Sequence, residues 1–243
     1  MENKNVAILV IVIICLYFLF RWLFSRKTKV LIKSPTKAMN EGAAPIKTFT
    51  PKEIGKPSIT SNFTYSVWIY VKDWSVGLGE EKIIFSRKQV GSSAGETVIS
   101  PEVSLGPNNN NLIIKNTTYT DSGGSSLSQC NIKNIPLQKW VNIFISMNTR
   151  TLDVYMNGKL VRTCIFDGPA KLANSGNLEV CPGGGFSGYI SYLQYWNTSS
   201  SPQQAWDTYK KGFGGGLLQS LLNKYKLKLT FLADNEEKGS LML

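Results

Sequence analysis

The chain has 243 residues and a formal net charge of +11, and it contains no histidine. This composition excludes Ser-His-Asp and Cys-His catalysis and any histidine-ligated metal site. The length allows one large domain with an appendage, and none of the four cysteines has the CxxC spacing of a zinc motif.

The positive charge is concentrated near the N-terminus. Positions 21–37 contain six bases and no acid, so they supply more than half of the net charge. A basic cluster beside an apolar run is typical of a membrane surface, and it argues against nucleic acid as a partner. The bases that we assign to the membrane surface are Arg21, Arg26, Lys27, Lys29 and Lys33.

After the N-terminal stub of residues 1–5, residues 6–24 form an apolar run that only Arg21 interrupts. A helix of this length, at ~1.5 Å per residue, spans about the hydrocarbon thickness of a bilayer. The run therefore predicts a single N-terminal transmembrane helix. A cleaved signal peptide is the alternative, but it would have a basic n-region and small residues at its cleavage site. The anchor positions are Val6, Ile11, Cys15, Tyr17, Phe20 and Trp22.

The bases follow the apolar run, so the positive-inside rule predicts a cytosolic C-terminal domain. Three Asn-x-Ser/Thr sequons, at Asn62, Asn116 and Asn197, argue for the lumenal side. They are weak evidence, because random order of a chain so rich in Asn, Ser and Thr gives about three such matches.

Residues 25–57 are predicted to be a basic juxtamembrane segment and a linker, because prolines, glycines and lysines leave little to bury. Residues 58–213 are predicted to form a β-sandwich. The alternation of residues 63–72, FTYSVWIYVK, predicts a strand with Phe63 and Val71 on the same face. Residues 119–128 are polar and predict a surface loop.

Asn157-Gly158 predicts a two-residue type I′ hairpin turn, because both residues tolerate positive φ. The register that follows from a regular hairpin places Asp153 opposite Arg162. Ser201 and Pro202 then open a short helix that Gly212 stops. Residues 214–243 are predicted to be a glycine hinge and a β tail, with the last strand at 224–232.

Strands that recur every eight to twelve residues, with one late short helix, predict an all-β fold: an antiparallel two-sheet jelly-roll sandwich. Of Cys130, Cys164 and Cys181 within it, two could form a disulfide or all three could be half-buried thiols.

Four segments carry a resemblance to a known family: FTYSVWIYV, KIIFSRK, KWVNIFISMNTRTLDVYMNGKLV and GFSGYISYLQYWNTSSSPQQAWDTYKKG. Together they resemble a laminin-G-like domain of the concanavalin A-like lectin/glucanase superfamily, which implies a two-sheet sandwich. The chain is most similar to the form found, behind an N-terminal membrane anchor, in large nucleocytoplasmic DNA viruses of algae (phycodnavirus, chlorella virus type).

The viral resemblance implies a structural virion protein, a minor capsid protein that tethers the capsid shell to the inner viral membrane. The implied partners are the lipid bilayer, the major capsid protein and other minor capsid proteins. The implied location is the interface between inner membrane and capsid, with the domain cytosolic in the infected cell.

Several relatives in this superfamily cleave glycans with a Glu-x-Asp-x-Glu strand, which this chain lacks. Glu80-Glu81 is the nearest carboxylate pair, but it lies in a Gly-rich loop, so we predict neither an enzyme nor a cofactor or metal. The alternative function is a membrane-anchored glycan-binding module. The candidate glycan or partner contacts are Trp74, Tyr119 and Phe213, which could instead cover sheet edges.

Overall fold

The computed structural model describes residues 12–17, 28–91, 95–214, 228–233 and 236–242, with side chains up to residue 214. Two antiparallel sheets pack face to face, and a main hydrophobic core fills the space between them. The all-β two-sheet prediction is confirmed.

One sheet has seven strands in the order β1-β13-β4-β9-β10-β11, with β2 also paired to β13. These strands are β1 (Lys29–Val30), β2 (Thr36–Met39), β4 (Phe63–Val71), β9 (Trp140–Asn148), β10 (Thr151–Met156), β11 (Lys159–Ile165) and β13 (Gly185–Trp196).

The other sheet has six strands in the order β3-β12-β5-β6-β7-β8. They are β3 (Lys47–Phe49), β5 (Lys82–Val90), β6 (Thr97–Leu105), β7 (Leu112–Tyr119), β8 (Ser125–Ile132) and β12 (Asn177–Val180). Two short helices accompany the sheets: α1 (Pro51–Ile54) and α2 (Pro202–Lys210).

Strand β4 confirms the alternation read from the sequence. Phe63, Tyr65, Val67, Ile69 and Val71 all belong to the core between the sheets. Successive side chains of a strand point to opposite faces, so one apolar set lines the core.

The Asn157-Gly158 turn is confirmed, with φ of 51° and 75° at the two residues. The predicted strand register is correct only for the two residue pairs next to the turn. The register shifts between Val154 and Tyr155, so Val154 lies opposite Arg162. The predicted Asp153–Arg162 pair is therefore wrong, and Asp153 Oδ1 instead accepts a hydrogen bond from Thr163 Oγ1 at 2.6 Å. A bulge adds one residue to one strand, which moves every later pair by one position.

The segment predicted as a linker contributes to both sheets. Strands β1 and β2 pair with β13, strand β3 pairs with β12, and helix α1 follows. The sandwich thus begins at Lys29 rather than at the predicted residue 58. Lysines and prolines are frequent in this segment, but five of its apolar side chains are buried in the core: Leu31, Ile32, Ala38, Phe49 and Ile54.

The polar loop predicted at 119–128 is shorter than expected, because β8 already starts at Ser125. This strand lies at the edge of its sheet, and only Cys130 and Ile132 of its side chains are buried. An edge strand with so few apolar positions has the composition of a loop.

The late helix is confirmed. Ser201 caps α2, and its side chain accepts a hydrogen bond from the Gln204 amide. The helix covers the outer face of the seven-stranded sheet, where Ala205 packs with Phe144, Tyr155 and Trp196 in a second small core.

Cys130 in β8 and Cys164 in β11 form a disulfide with a Cα–Cα distance of 6.0 Å. The bond joins the edge strand of one sheet to the edge strand of the other. Cys181 is a buried free thiol, and burial raises its pKa well above the usual value.

The two chain termini lie largely outside the described residues. Residues 12–17 are helical, with exposed Cys15 and Tyr17, and no described helix has the length and apolar character needed to cross a membrane. In the tail, β14 (Lys228–Ala233) pairs with β15 (Glu236–Met242). Strand β14 overlaps the strand predicted at 224–232, of which residues 224–227 lie outside the described residues, and β15 follows the strand that was predicted to be the last. The other anchor and basic positions lie outside the described residues: Val6, Ile11, Phe20, Arg21, Trp22, Arg26 and Lys27.

Candidate functional site

The sandwich has two opposite ends along its strands. At one end, which we call the Thr28 end, the chain enters the fold, and Trp196 Nε1 donates a hydrogen bond to Thr28 Oγ1 at 2.8 Å. At the other end, which we call the Trp74 end, Gly188 of β13 lies opposite Val71 of β4. Strands of about nine residues at ~3.3 Å per residue separate these ends by roughly 30 Å.

Three loops at the Trp74 end hold one another in place. The Gly79 amide donates to Pro107 O at 3.0 Å, which joins the loop after β4 to the loop after β6. The Ile135 amide donates to Asn110 O at 2.7 Å, which adds the loop before β9. Loops tied by backbone hydrogen bonds can present side chains in a fixed arrangement.

A groove of about 630 Å³ lies between two of these loops, the one after β4 and the one before β9, and we call it the Trp74 groove. Trp74 is half-buried on its floor, and Lys82 Nζ lies 4.8 Å from the centroid of the indole ring. The buried Trp74 Nε1 has no hydrogen-bond partner among the described residues. The groove is lined by Lys72, Asp73, Trp74, Leu137 and Gln138.

The charges around the groove have identifiable causes. Hydrogen bonds from the Ser75 hydroxyl and amide lower the pKa of Asp73, so its carboxylate is ionised at neutral pH. Burial lowers the pKa of Lys82, although the charge of Glu80 opposes this effect. The lining of the groove therefore combines the Trp74 ring with the Asp73 carboxylate and the Lys72 cation, which suits a sugar ring or a polypeptide segment.

The other two predicted aromatic contacts lie elsewhere. Tyr119 is 46% exposed at the Thr28 end of β7, with Lys171 Nζ 5.6 Å from its ring. Phe213 stacks on Trp140 at a centroid distance of 4.4 Å on the outer face of the seven-stranded sheet. The three aromatics predicted as glycan or partner contacts thus do not form one site, and only Trp74 lies in a groove.

Lys29 and Lys33 were predicted to lie at a membrane surface, and both are exposed. Lys29 lies at the Thr28 end, and Lys33 follows it four residues later in the chain. Lys29 is opposite Tyr195 in the pairing of β1 with β13.

A charged cluster that the sequence did not predict lies on the outer face of the six-stranded sheet. Glu102 contacts Lys88 Nζ at 2.5 Å and Lys115 Nζ at 3.4 Å, and Lys115 also contacts Glu81 at 2.6 Å. Burial raises the pKa of Glu102, but the two lysines outweigh this effect and hold it below its usual value. The available signal was the alternation of Glu102 and Ser104 with apolar residues in β6, which places both on the outer face.

Replacing Glu102 with glutamine is expected to lower the free energy of unfolding by ~2 kcal/mol at pH 7, because it leaves two lysines without their shared partner. The lowered pKa means that this stabilisation is present above the unfolded value near 4.5 and is lost as the pH falls through the folded value. Urea unfolding at pH 7 and at acid pH measures the difference. Glu179→Gln, on the same sheet and without an ion pair among the described residues, is the control. An equal loss at both pH values would contradict the assignment.

The family described as "Concanavalin A-like lectin/glucanases superfamily" matches residues 48–205, more than half of the chain. The chain belongs to this superfamily. The expected laminin-G-like domain is thereby confirmed, and its matched region starts within the segment predicted as a linker.

Solved structures with a similar fold include binding domains of botulinum neurotoxins. The binding domain of neurotoxin DC in complex with SialylT has 13% identity and a TM-score of 0.52, covering 77% of this chain and 47% of that one. The receptor binding domain of neurotoxin D has 12% identity and a TM-score of 0.52, with coverages of 76% and 48%. The neurotoxin DC binding domain in complex with rat synaptotagmin II has 12% identity and a TM-score of 0.50, with coverages of 77% and 47%.

At these identities the likeness concerns the fold, and this superfamily member spans about half the length of those structures. A search of curated proteins gives no match.

Proposed function

We propose that the chain is a membrane-tethered binding protein, a minor capsid protein that joins a capsid shell to the inner membrane of a large DNA virus. The observation that carries this proposal is the position of the Trp74 groove, at the end opposite to the one where the chain enters the sandwich. A protein anchored at one end and equipped for contact at the other is suited to bridge two layers.

The distance from the predicted anchor supports a close tether. The predicted transmembrane run ends at Phe24, and β1 begins at Lys29. Few residues therefore separate the proposed bilayer from the sheet, and the groove would be held roughly 30 Å beyond it. The lipid bilayer is the proposed partner at the Thr28 end, and the major capsid protein or another minor capsid protein is the proposed partner at the Trp74 end.

The superfamily and the groove favour binding over catalysis. Two carboxylates that are distant in sequence, Glu81 and Glu102, share Lys115 and are held by ion pairs. A glycosidase acid must hold a proton at its working pH, whereas the two lysines keep the Glu102 carboxyl ionised.

Crosslinking of purified virions with a lysine-reactive reagent tests the bridge. We expect Lys72 and Lys139, both exposed at the Trp74 end, to crosslink to a shell protein, while Lys56 at the Thr28 end does not. In a second arm, proteoliposomes carrying the full chain are sedimented with capsid shells. Trp74→Ala is expected to weaken this association by about tenfold or more, as loss of a central aromatic contact does. Tyr119→Ala is the matched control, and absence of any shell crosslink from the Trp74 end would overturn the proposal.

Glycan binding is the second candidate, and the same groove favours it because an aromatic floor beside Asp73 and Gln138 suits a sugar ring. A glycan array probed with the full chain separates the two functions. Glycan capture that Trp74→Ala abolishes, together with unchanged shell association in that variant, would assign the groove to sugars.

For localisation we propose the membrane–capsid interface of the virion, with the domain cytosolic in the infected cell, because the basic residues follow the span. The Cys130–Cys164 disulfide argues for the opposite side, since the cytosol keeps thiols reduced.

The three sequons differ in exposure. Asn62 and Asn197 are half-exposed and could accept a glycan, whereas Asn116 is buried and its amide donates to Thr117 O. Protease protection of the chain in microsomes, together with a glycosidase shift assay, tests the orientation. Digestion of the domain from outside, with no glycan attached, supports the proposal, and glycan on Asn62 or Asn197 overturns it.

A further inference from the structure

A small cavity, largely shielded from solvent, lies between the two sheets at the Thr28 end, and we call it the Arg87 cavity. It offers about 10 Å³ for the centre of a water-sized sphere. This space holds one water or one monatomic ion, and it is too small for a sugar or a phosphate. The polar residues around it include Ser58, Tyr65, Arg87, Ser100 and Asn174.

Arg87 brings a positive charge into this cavity. Its side chain is 4% exposed, and its guanidinium lies 6.0 Å from the ring centroid of Tyr195. Among the described ion pairs of the chain, none includes Arg87. Arginine stays protonated even when it is buried, so the charge requires compensation from a neighbour.

The carbonyl groups near the cavity compensate this charge only in part. Arg87 Nε donates to Gly176 O at 3.2 Å, and its Nη2 donates to Asn174 O at 2.8 Å. The Tyr65 and Tyr195 hydroxyls also interact with the guanidinium, but neutral hydroxyls and carbonyls do not cancel its charge. Ser58 also lines the cavity, and its carbonyl accepts a hydrogen bond from Asn174 Nδ2 at 3.1 Å.

Two buried hydroxyls at the cavity wall lack an acceptor for their own protons. Ser100 Oγ makes no hydrogen bond among the described residues, and Tyr65 Oη interacts with the Arg87 guanidinium, which can only donate. The Tyr65 and Ser100 side chains are 1% and 4% exposed, so bulk water does not satisfy them. Buried polar groups are normally hydrogen-bonded, and two hydroxyl protons without an acceptor beside one cavity indicate a missing ligand.

We propose that the Arg87 cavity binds a single monatomic anion, for which chloride is the physiological ligand. An anion accepts hydrogen bonds from Tyr65 Oη and Ser100 Oγ and neutralises the Arg87 guanidinium. A water molecule would satisfy the hydroxyls but would leave the buried charge uncompensated. The site would link β4, β5 and β6 with the loop that precedes β12, and it is independent of the function proposed for the Trp74 groove.

Thermal unfolding of the full chain in detergent micelles, followed by tryptophan fluorescence, tests this site. Sodium chloride and sodium bromide are compared with sodium gluconate at constant ionic strength. We expect the melting temperature to rise by roughly 3–5 °C for each tenfold increase in halide above its dissociation constant. Equal melting temperatures in gluconate and chloride would overturn the proposal.

Variants that remove one donor each place the effect at the cavity. Tyr65→Phe and Ser100→Ala are expected to weaken halide binding about tenfold or more, which shifts the halide dependence to higher concentration. Tyr189→Phe, which removes a hydroxyl at a position 43% exposed, is the matched control. An unshifted dependence in both cavity variants would overturn the proposal. A bromide-soaked crystal should show anomalous density beside Arg87, and density without anomalous signal would identify water instead.

Discussion

Gly188→Ala is expected to destabilise the sandwich by about 3 kcal/mol or more, enough to lower the melting temperature by roughly 10 °C. Gly188 lies in β13 opposite Val71 of β4, within the seven-stranded sheet. A Cβ at this position would overlap the carbonyl oxygen of Tyr70 and lie 3.0 Å from its carbonyl carbon and 3.1 Å from Phe186 Cε2. Two of these neighbours are backbone atoms, so relief requires that two paired strands move apart.

Gly42→Ala is the control for this substitution, because a Cβ at Gly42 has no atom within 4 Å. We expect its free energy of unfolding to stay within ~0.5 kcal/mol of the parent value. Urea unfolding of the full chain in detergent, followed by tryptophan fluorescence, measures both variants. A Gly188→Ala variant as stable as Gly42→Ala would show that the two strands can separate at little cost.

Reduction of the Cys130–Cys164 disulfide is expected to lower the free energy of unfolding by about 3–4 kcal/mol. The two cysteines are 34 residues apart, so the bond restricts the unfolded chain substantially. In the folded state it connects β8 and β11, the edge strands on the same side of the two sheets. Reduction therefore affects both the unfolded ensemble and the contact between the sheets.

Urea midpoints with and without reductant measure this contribution. The double variant Cys130→Ala/Cys164→Ala should be less stable than the oxidised parent, and reductant should not change its midpoint. Alkylation of the chain unfolded in urea without reductant, followed by mass spectrometry, should label Cys15 and Cys181 and leave the other two blocked until reduction. A parent midpoint that reductant does not move, or a bond that includes Cys181, would refute the assignment.

Local chemistry made the hairpin and the late helix predictable. Asn157-Gly158 has the positive φ values that a two-residue turn needs, and the Ser201-Pro202 start of α2 needs only its own cap. The register beyond the turn was not predictable in the same way. The bulge at Val161 depends on how β11 packs as an edge strand beside β10, so the expected Asp153–Arg162 pair does not form.

Only one residue of the Trp74 groove was predicted from the sequence. Trp74 stood out as an aromatic residue in a loop, but the residues that join it come from another loop, including Leu137 and Gln138. No sequence motif indicates the Glu102 cluster or the Arg87 cavity. Their residues come from separate strands and loops, which lie together only because the strands pair in the folded protein.

The sequence by itself determined the two-sheet class, the faces of the apolar strands, the hairpin turn and the capped helix. Each of these depends on a period of two or on residues next to one another along the chain. Tertiary structure alone decided that β1, β2 and β3 complete the sheets, that Cys130 pairs with Cys164, and that a groove and a charged cavity lie at opposite ends. These features join residues distant in sequence, and their positions depend on which strands pair and in what register.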